Sequence, residues 1–144
     1  MSLTAYTDGA CRDGNPGRTS CAFAVFKDGA EIHSAGRYLG LQTNNFAEYS
    51  GLLYLLAWAD QSKITGLSIH SDSQLIVNQT NGSWKVNEQS LLPLQRRAYA
   101  MLIRGGHTLS WVKGHSGNAG NERVDQLCNQ VLDQQENIDA KKVS

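Results

Sequence analysis

The 144-residue sequence is short of several things, and each shortage excludes something. No apolar run approaches the roughly 18 residues of a membrane-crossing helix, so no membrane partner is expected. There are only three cysteines, Cys11, Cys21 and Cys128. Their odd number and the lack of CxxC spacing argue against a disulfide framework or a zinc site and favour a reducing compartment. Met1 to Tyr6 holds no basic stretch and no apolar core, so no leader peptide is expected and the placement is cytoplasmic. Prolines number two, and no repeat or low-complexity tract interrupts the chain. The length then fits one domain, drawn as residues 1–135 with a polar tail over 136–144 that frays from about Gln134.

Net charge is also missing: 13 Lys and Arg face 13 Asp and Glu. A neutral total argues against a strongly basic nucleic-acid binder. The inference weakens if four of the acids hold divalent cations, because the remaining balance is then four positive. The 40% hydrophobic and 18% charged shares are those of an ordinary globular chain.

Periodicity gives the element order. Residues 2–9 alternate and are rich in strand formers, and 12–17 form a turn cluster. Residues 19–27 read as a second strand, Asp28-Gly29 as a hairpin turn, and Glu31 to Leu39 as a third strand. From Asn45 to Asp60 the period changes to that of a helix, capped by Thr43 or Asn44. Leu67 to His70 is a short strand. Asp72 or Ser73 opens a second helix that stops near Asn81-Gly82. A third helix spans about Glu88 to Ile103, His107 to Val112 is a fifth strand, and Gly120-Asn121 leads into the last helix. The order β-β-β-α-β-α-α-β-α predicts an α/β fold, a mixed sheet with helices on its faces.

Four acids stand out by position. Asp8 closes the first strand, Glu48 lies in the first turn of the first helix, Asp72 follows the fourth strand, and Asp125 lies in the first turn or two of the last helix. Open α/β sheets gather ligand sites at such element ends. Several carboxylates together suit a hard cation such as Mg²⁺ or Mn²⁺. Two such ions about 4 Å apart can hold the attacking and leaving oxygens of a phosphodiester displacement. Each acid also has an ordinary alternative: a turn residue for Asp8, a capping-box partner for Glu48, an N-cap for Asp72 and a solvated helix face for Asp125. Spacing alone does not show that the four converge.

The surrounding residues separate the alternatives. Tyr6-Thr7-Asp8-Gly9-Ala10-Cys11 with Asn15-Pro16-Gly17, then Thr43-Asn44-Asn45-Phe46-Ala47-Glu48, then Asp72-Ser73-Gln74 form three blocks. Trp111-Val112-Lys113-Gly114-His115-Ser116-Gly117 with Asn121-Glu122-Arg123-Val124-Asp125 forms a fourth. In order, spacing and element type these blocks resemble type 1 ribonuclease H over about residues 4–132. The resemblance implies a ribonuclease H-like fold with a five-stranded mixed sheet. It implies hydrolysis of the RNA strand of an RNA–DNA hybrid to 5′-phosphate and 3′-hydroxyl ends, by a monomer using two Mg²⁺ ions, with Mn²⁺ as substitute. It makes Asp8, Glu48, Asp72 and Asp125 the metal-binding catalytic acids, with Asp8 bridging both ions. Asp125 then holds the ion that activates water, and Glu48 and Asp72 the ion facing the leaving oxygen. His115 in the Lys-Gly-His turn assists proton transfer or product release, and histidine is the side chain that changes charge near neutral pH. His33, His70 and His107 have no chemical partner that the sequence identifies.

The resemblance also assigns substrate contacts. Asn15, Asn45 and Gln74 read the minor groove, with Gly9, Cys11 and Asn44 close by, while Thr43 and Asn87 grip a DNA phosphate. Amides suit that groove because they both donate and accept. The sequence departs from many relatives in carrying Leu41 where they have Arg, and in lacking their basic, Trp-rich helix after the second helix. It is thus similar to compact, archaeal-like members. Trp84 and Lys85 stand where that helix would begin, and Arg96, Arg97 and Arg104 offer further phosphate contacts. Two other functions fit the same residues: a nuclease of the superfamily with broader duplex specificity, including RNA–RNA, and a non-catalytic hybrid-binding module.

Overall fold

The computed structural model describes residues 2–143. Strands β1 (Leu3–Arg12), β2 (Gly17–Lys27) and β3 (Ala30–Gln42) form an antiparallel meander. Helix α1 (Asn44–Gln61) leads to β4 (Ser68–Ser71), α2 (Gln74–Thr80), a 3₁₀ turn (Gln89–Leu91) and α3 (Leu92–Gly105). Strand β5 (Thr108–Trp111) and the long α4 (Ala119–Val143) complete the chain. The sheet runs β3-β2-β1-β4-β5, with β4 parallel to both β1 and β5. The expected mixed five-stranded α/β sheet is therefore present, covered by α1, α2 and α3 on one face and α4 on the other.

The core lies between the sheet and α1. Phe23, Val25 and Ile69 from the strands meet Leu52, Leu55, Leu56 and Tyr49 from α1, all fully or almost fully buried. Each such aliphatic or aromatic side chain contributes about 1.5–3 kcal/mol through loss of contact with water. Helix α1 can approach β1 this closely because small residues face each other. A Cβ on Gly9 would lie 2.4 Å from the Ala47 carbonyl carbon, and one on Gly51 would lie 2.6 Å from the Asp8 oxygen.

Local chemistry places the helix starts. The Thr43 hydroxyl accepts from the Phe46 amide and caps α1. The Ser73 hydroxyl accepts from the Ile76 amide and caps α2, which frees Asp72 from that duty. Pro93 sits in the first turn of α3, where a missing N–H costs nothing.

Several boundaries differ from expectation. Strand β1 runs four residues beyond Asp8, because the antiparallel ladder with β2 continues to Arg12↔Arg18. Glu48 lies beyond the first turn of α1 and is not a cap partner. The tail expected to fray from Gln134 is helical to Val143, held against the β1–β2 turn by ion pairs from Asp133 and Glu136. Ser144 lies outside the described residues.

Candidate active site

Strand register brings the first two acids together. The last parallel rung between β1 and β4 is Thr7↔Ser71, so Asp8 and Asp72 are the next residues on neighbouring strands. The third arrives on α1, whose close packing at Gly9 sets Glu48 over β1. Oxygen atoms of Asp8, Glu48 and Asp72 lie within 4.8 Å of one another. Asp8 and Glu48 are 5% and 7% exposed, so water screens them little. The Gly9 amide donates to both, at 2.9 Å to Asp8 Oδ1 and 2.5 Å to Glu48 Oε1.

The acids respond as buried like-charged neighbours must. Burial, then the charge of Asp72, pushes the Asp8 carboxyl up to about 7. Burial first, then Asp8 and Asp72, raises Glu48 well above the carboxylate range, and Glu48 holds its proton against Asp8. Burial also raises Asp72, partly offset by a hydrogen bond from Asn121 and by the charge of His115. Asp125, on α4, stands outside the 4.8 Å cluster but adds negative potential at both Asp8 and Asp72. Three hard oxygen donors, two of them buried and held by the Gly9 amide, fit a divalent cation of the Mg²⁺ or Mn²⁺ type.

The other expected residues surround this cluster unevenly. His115 is exposed in the turn between β5 and α4, with φ of 55°, and its charge acts on Asp72. The Asn15 Oδ1 accepts from the Asn44 amide at 2.9 Å, so the β1–β2 turn is tied to the start of α1 beside Asn45 and Thr43. Cys11, half-buried, places its Sγ 3.0 Å from the Gly14 oxygen in the same turn. Gln74 is exposed at the start of α2. Eight residues, Asn81–Glu88, join α2 to the 3₁₀ turn with no helix between. Within them Asn87 is exposed and Trp84 is 47% exposed, while Val86 turns in to the core. Leu41 is 72% exposed. Arg104 lies 3.4 Å from Asp60, and Arg96 and Arg97 face solvent.

The chain as a whole is similar to known ribonucleases H. The family model for RNase H matches residues 1–133. Ribonuclease HI of Halobacterium salinarum is 35% identical over 130 residues, covering 90% of this chain and 63% of that protein, so the chain spans less than two thirds of it. Ribonuclease H of Francisella philomiragia is 31% identical over 142 residues, covering 91% of each. The chain belongs to the type 1 ribonuclease H family. The crystal structure of RNase H1 from H. salinarum superposes on this ribonuclease H with a TM-score of 0.83 at 33% identity, covering 93% of this chain and 99% of that one. LC11-RNase H1, solved in complex with an RNA/DNA hybrid, gives a TM-score of 0.82 at 28% identity, with the same coverage. The protein is accordingly an enzyme of the ribonuclease H type, a nuclease whose acid cluster supports the use of divalent metal.

One residue beside the site escaped the sequence reading. Asn121 is 3% exposed and donates to Asp72, while its Oδ1 has no partner. The available signal was spacing: Asn121 and Asp125 are four apart on α4, so both face the same way. The remaining histidines pack. His33 stacks on Trp58 at 4.7 Å, His70 stacks on Tyr6, and His107 Nδ1 accepts from the Leu67 amide.

Proposed function

We propose that this ribonuclease H hydrolyses the RNA strand of RNA–DNA hybrids as an endonuclease, giving 5′-phosphate and 3′-hydroxyl ends. The observation that carries this is the meeting of Asp8, Glu48 and Asp72 in one cluster, with Asp8 and Glu48 buried. Asp8, Glu48, Asp72 and Asp125 are proposed as the ligands of two Mg²⁺ ions, for which Mn²⁺ substitutes. Such ions, when bound, supply an activated water and neutralise the charge on the leaving oxygen.

The chain's own groups do the rest. The Gly9 amide fixes the Asp8 and Glu48 carboxylates by donating to both. Asn121 orients Asp72. His115, exposed in a turn on the Asp72 side, carries a proton to or from the reacting phosphate. Asn15, Asn45 and Gln74 offer amide groups to 2′-hydroxyls and base edges of the shallow groove, with Gly9, Cys11 and Asn44 beside them. Thr43, Asn87 and Trp84 take the DNA strand, through phosphate contacts and stacking. The protein acts as a monomer in the cytoplasm, and residues 1–135 carry the catalytic machinery.

The deciding experiment is cleavage of uniformly labelled RNA–DNA, RNA–RNA and DNA–DNA duplexes, with and without Mg²⁺ or Mn²⁺, beside the Asp8→Asn variant. Metal-dependent loss of the RNA strand in the hybrid alone supports the proposal. Equal cleavage of RNA–RNA would replace it with a broader duplex nuclease.

A further inference from the structure

The end of α4 and the neck of the β1–β2 turn share a second charge cluster. Arg12 and Arg18 are direct cross-strand partners in the β1–β2 ladder. Two like charges in that position repel and would splay the strands. They are held together by one atom. Glu136 Oε1 accepts from Arg12 Nη1 at 2.9 Å and from Arg18 Nη2 at 2.6 Å. Arg12 also donates to Asp133 Oδ1 at 2.8 Å and to Asn129 Oδ1 at 2.9 Å, and Arg18 Nε donates to Asp13 Oδ2 at 2.7 Å. Asn129, Asp133 and Glu136 recur at helical spacing, so a single stripe of α4 grips the neck. Between the two arginines the chain forms the turn that carries Asn15, whose Oδ1 receives the Asn44 amide.

We propose that Glu136 is a positioning residue for substrate: it closes the Arg12–Arg18 neck and so sets Asn15 against the start of α1. This rests on the proposed role of Asn15 in groove contact. The distal part of α4 thereby acts on binding from outside the acid cluster. Glu136 touches none of Asp8, Glu48 and Asp72, so the chemical step is unaffected by it.

The test is the Glu136→Gln variant, with Glu136→Ala beside it and Asp139→Asn as control, since Asp139 bonds only Gln135 among the described contacts. Removing an acid raises net charge and by itself strengthens attraction to nucleic acid, which lowers KM. The proposal requires the opposite: KM for the hybrid rises about threefold to tenfold, more for Ala than Gln, with kcat held within about twofold. Exchange of the Asn44 amide proton, followed by NMR without substrate, accelerates about threefold or more as the turn loosens. The Asp139→Asn control, which makes the same change in net charge, leaves Asn44 exchange unchanged and does not raise KM. An unaltered or lowered KM with unaltered Asn44 exchange would overturn the proposal. If the parent protein fails to cleave the hybrid, the functional reading falls, and Asn44 exchange alone still decides whether Glu136 holds the turn.

Discussion

Strand β1 carries two charge clusters four residues apart, and they are built on opposite rules. At Asp8 three carboxylates meet one another, and two of them are buried. At Arg12 two guanidiniums meet three acids on the protein's rim, and each charge has a partner within 3 Å. The second cluster is complete in itself and ties elements together. The first is incomplete, since burial and mutual repulsion hold its acids above their ordinary range. A fold retains such an arrangement when something external supplies the missing positive charge, and the carboxylate chemistry makes that a divalent cation. Counting charges would not separate the two. Burial and the sign of the neighbours do.

The comparison breaks most readily at Asp8. Asp8→Asn should lower kcat on the hybrid by at least about 10³-fold, as expected when transition-state charge loses its support. Hybrid binding in Ca²⁺ should persist. The same substitution should raise the melting temperature of the metal-free protein by several degrees, because it removes a buried like charge. A variant that loses both activity and stability would show that Asp8 serves the fold instead. The chemistry beside the cluster comes next in size. His115→Ala should lower kcat by about 10²-fold with little change in KM. A KM effect alone would move His115 from proton transfer to binding.

A pH series sharpens the contrast further. In the unfolded chain Asp8 loses its proton near the ordinary 3.8, whereas in the native protein it keeps it to about 7. Between those values the native state binds more protons, so stability of the metal-free protein should fall from about pH 4 to about pH 7. Thermal melts in EDTA should show that decline, and Mg²⁺ or Asp8→Asn should flatten it. A melting temperature that rises across this window would contradict the assigned burial. The smallest effect belongs to the rim. Asp133→Asn should lower the melting temperature by about 1–2 °C in low salt, and by less in 1 M NaCl, where screening acts within about 3 Å. The same loss at both salt concentrations would mean that packing, and not charge, holds α4 there.

The outer features of this protein are legible in its sequence. The strand-like run of residues 19–27 and the Asp28-Gly29 turn gave the hairpin, and the shift to helical spacing after Thr43 gave α1. The four acids stood in recognisable surroundings. What failed did so for tertiary reasons. The end of β1 was set too early because its partner ladder continues through polar residues, where hydrophobic alternation is silent. The C-terminal segment read as a fraying tail because its stabilising partners, Arg12 and Arg18, lie more than 100 positions away. Asn121 looked like a helix-start residue, since nothing in its neighbourhood indicates that Asp72 lies across from it.

By itself, the sequence determined which segments become strands and helices, where helices begin, and which residue types are available for chemistry. Those are matters of periodicity, capping and composition, and they act over a few residues. Only the tertiary structure decided that Asp8 and Asp72 stand side by side one step past the Thr7↔Ser71 rung, that glycines bring Glu48 down on them, and that Glu136 reaches back to the first turn. Register and close approach are set by the packing of whole elements, and electrostatic character follows from the burial that packing creates.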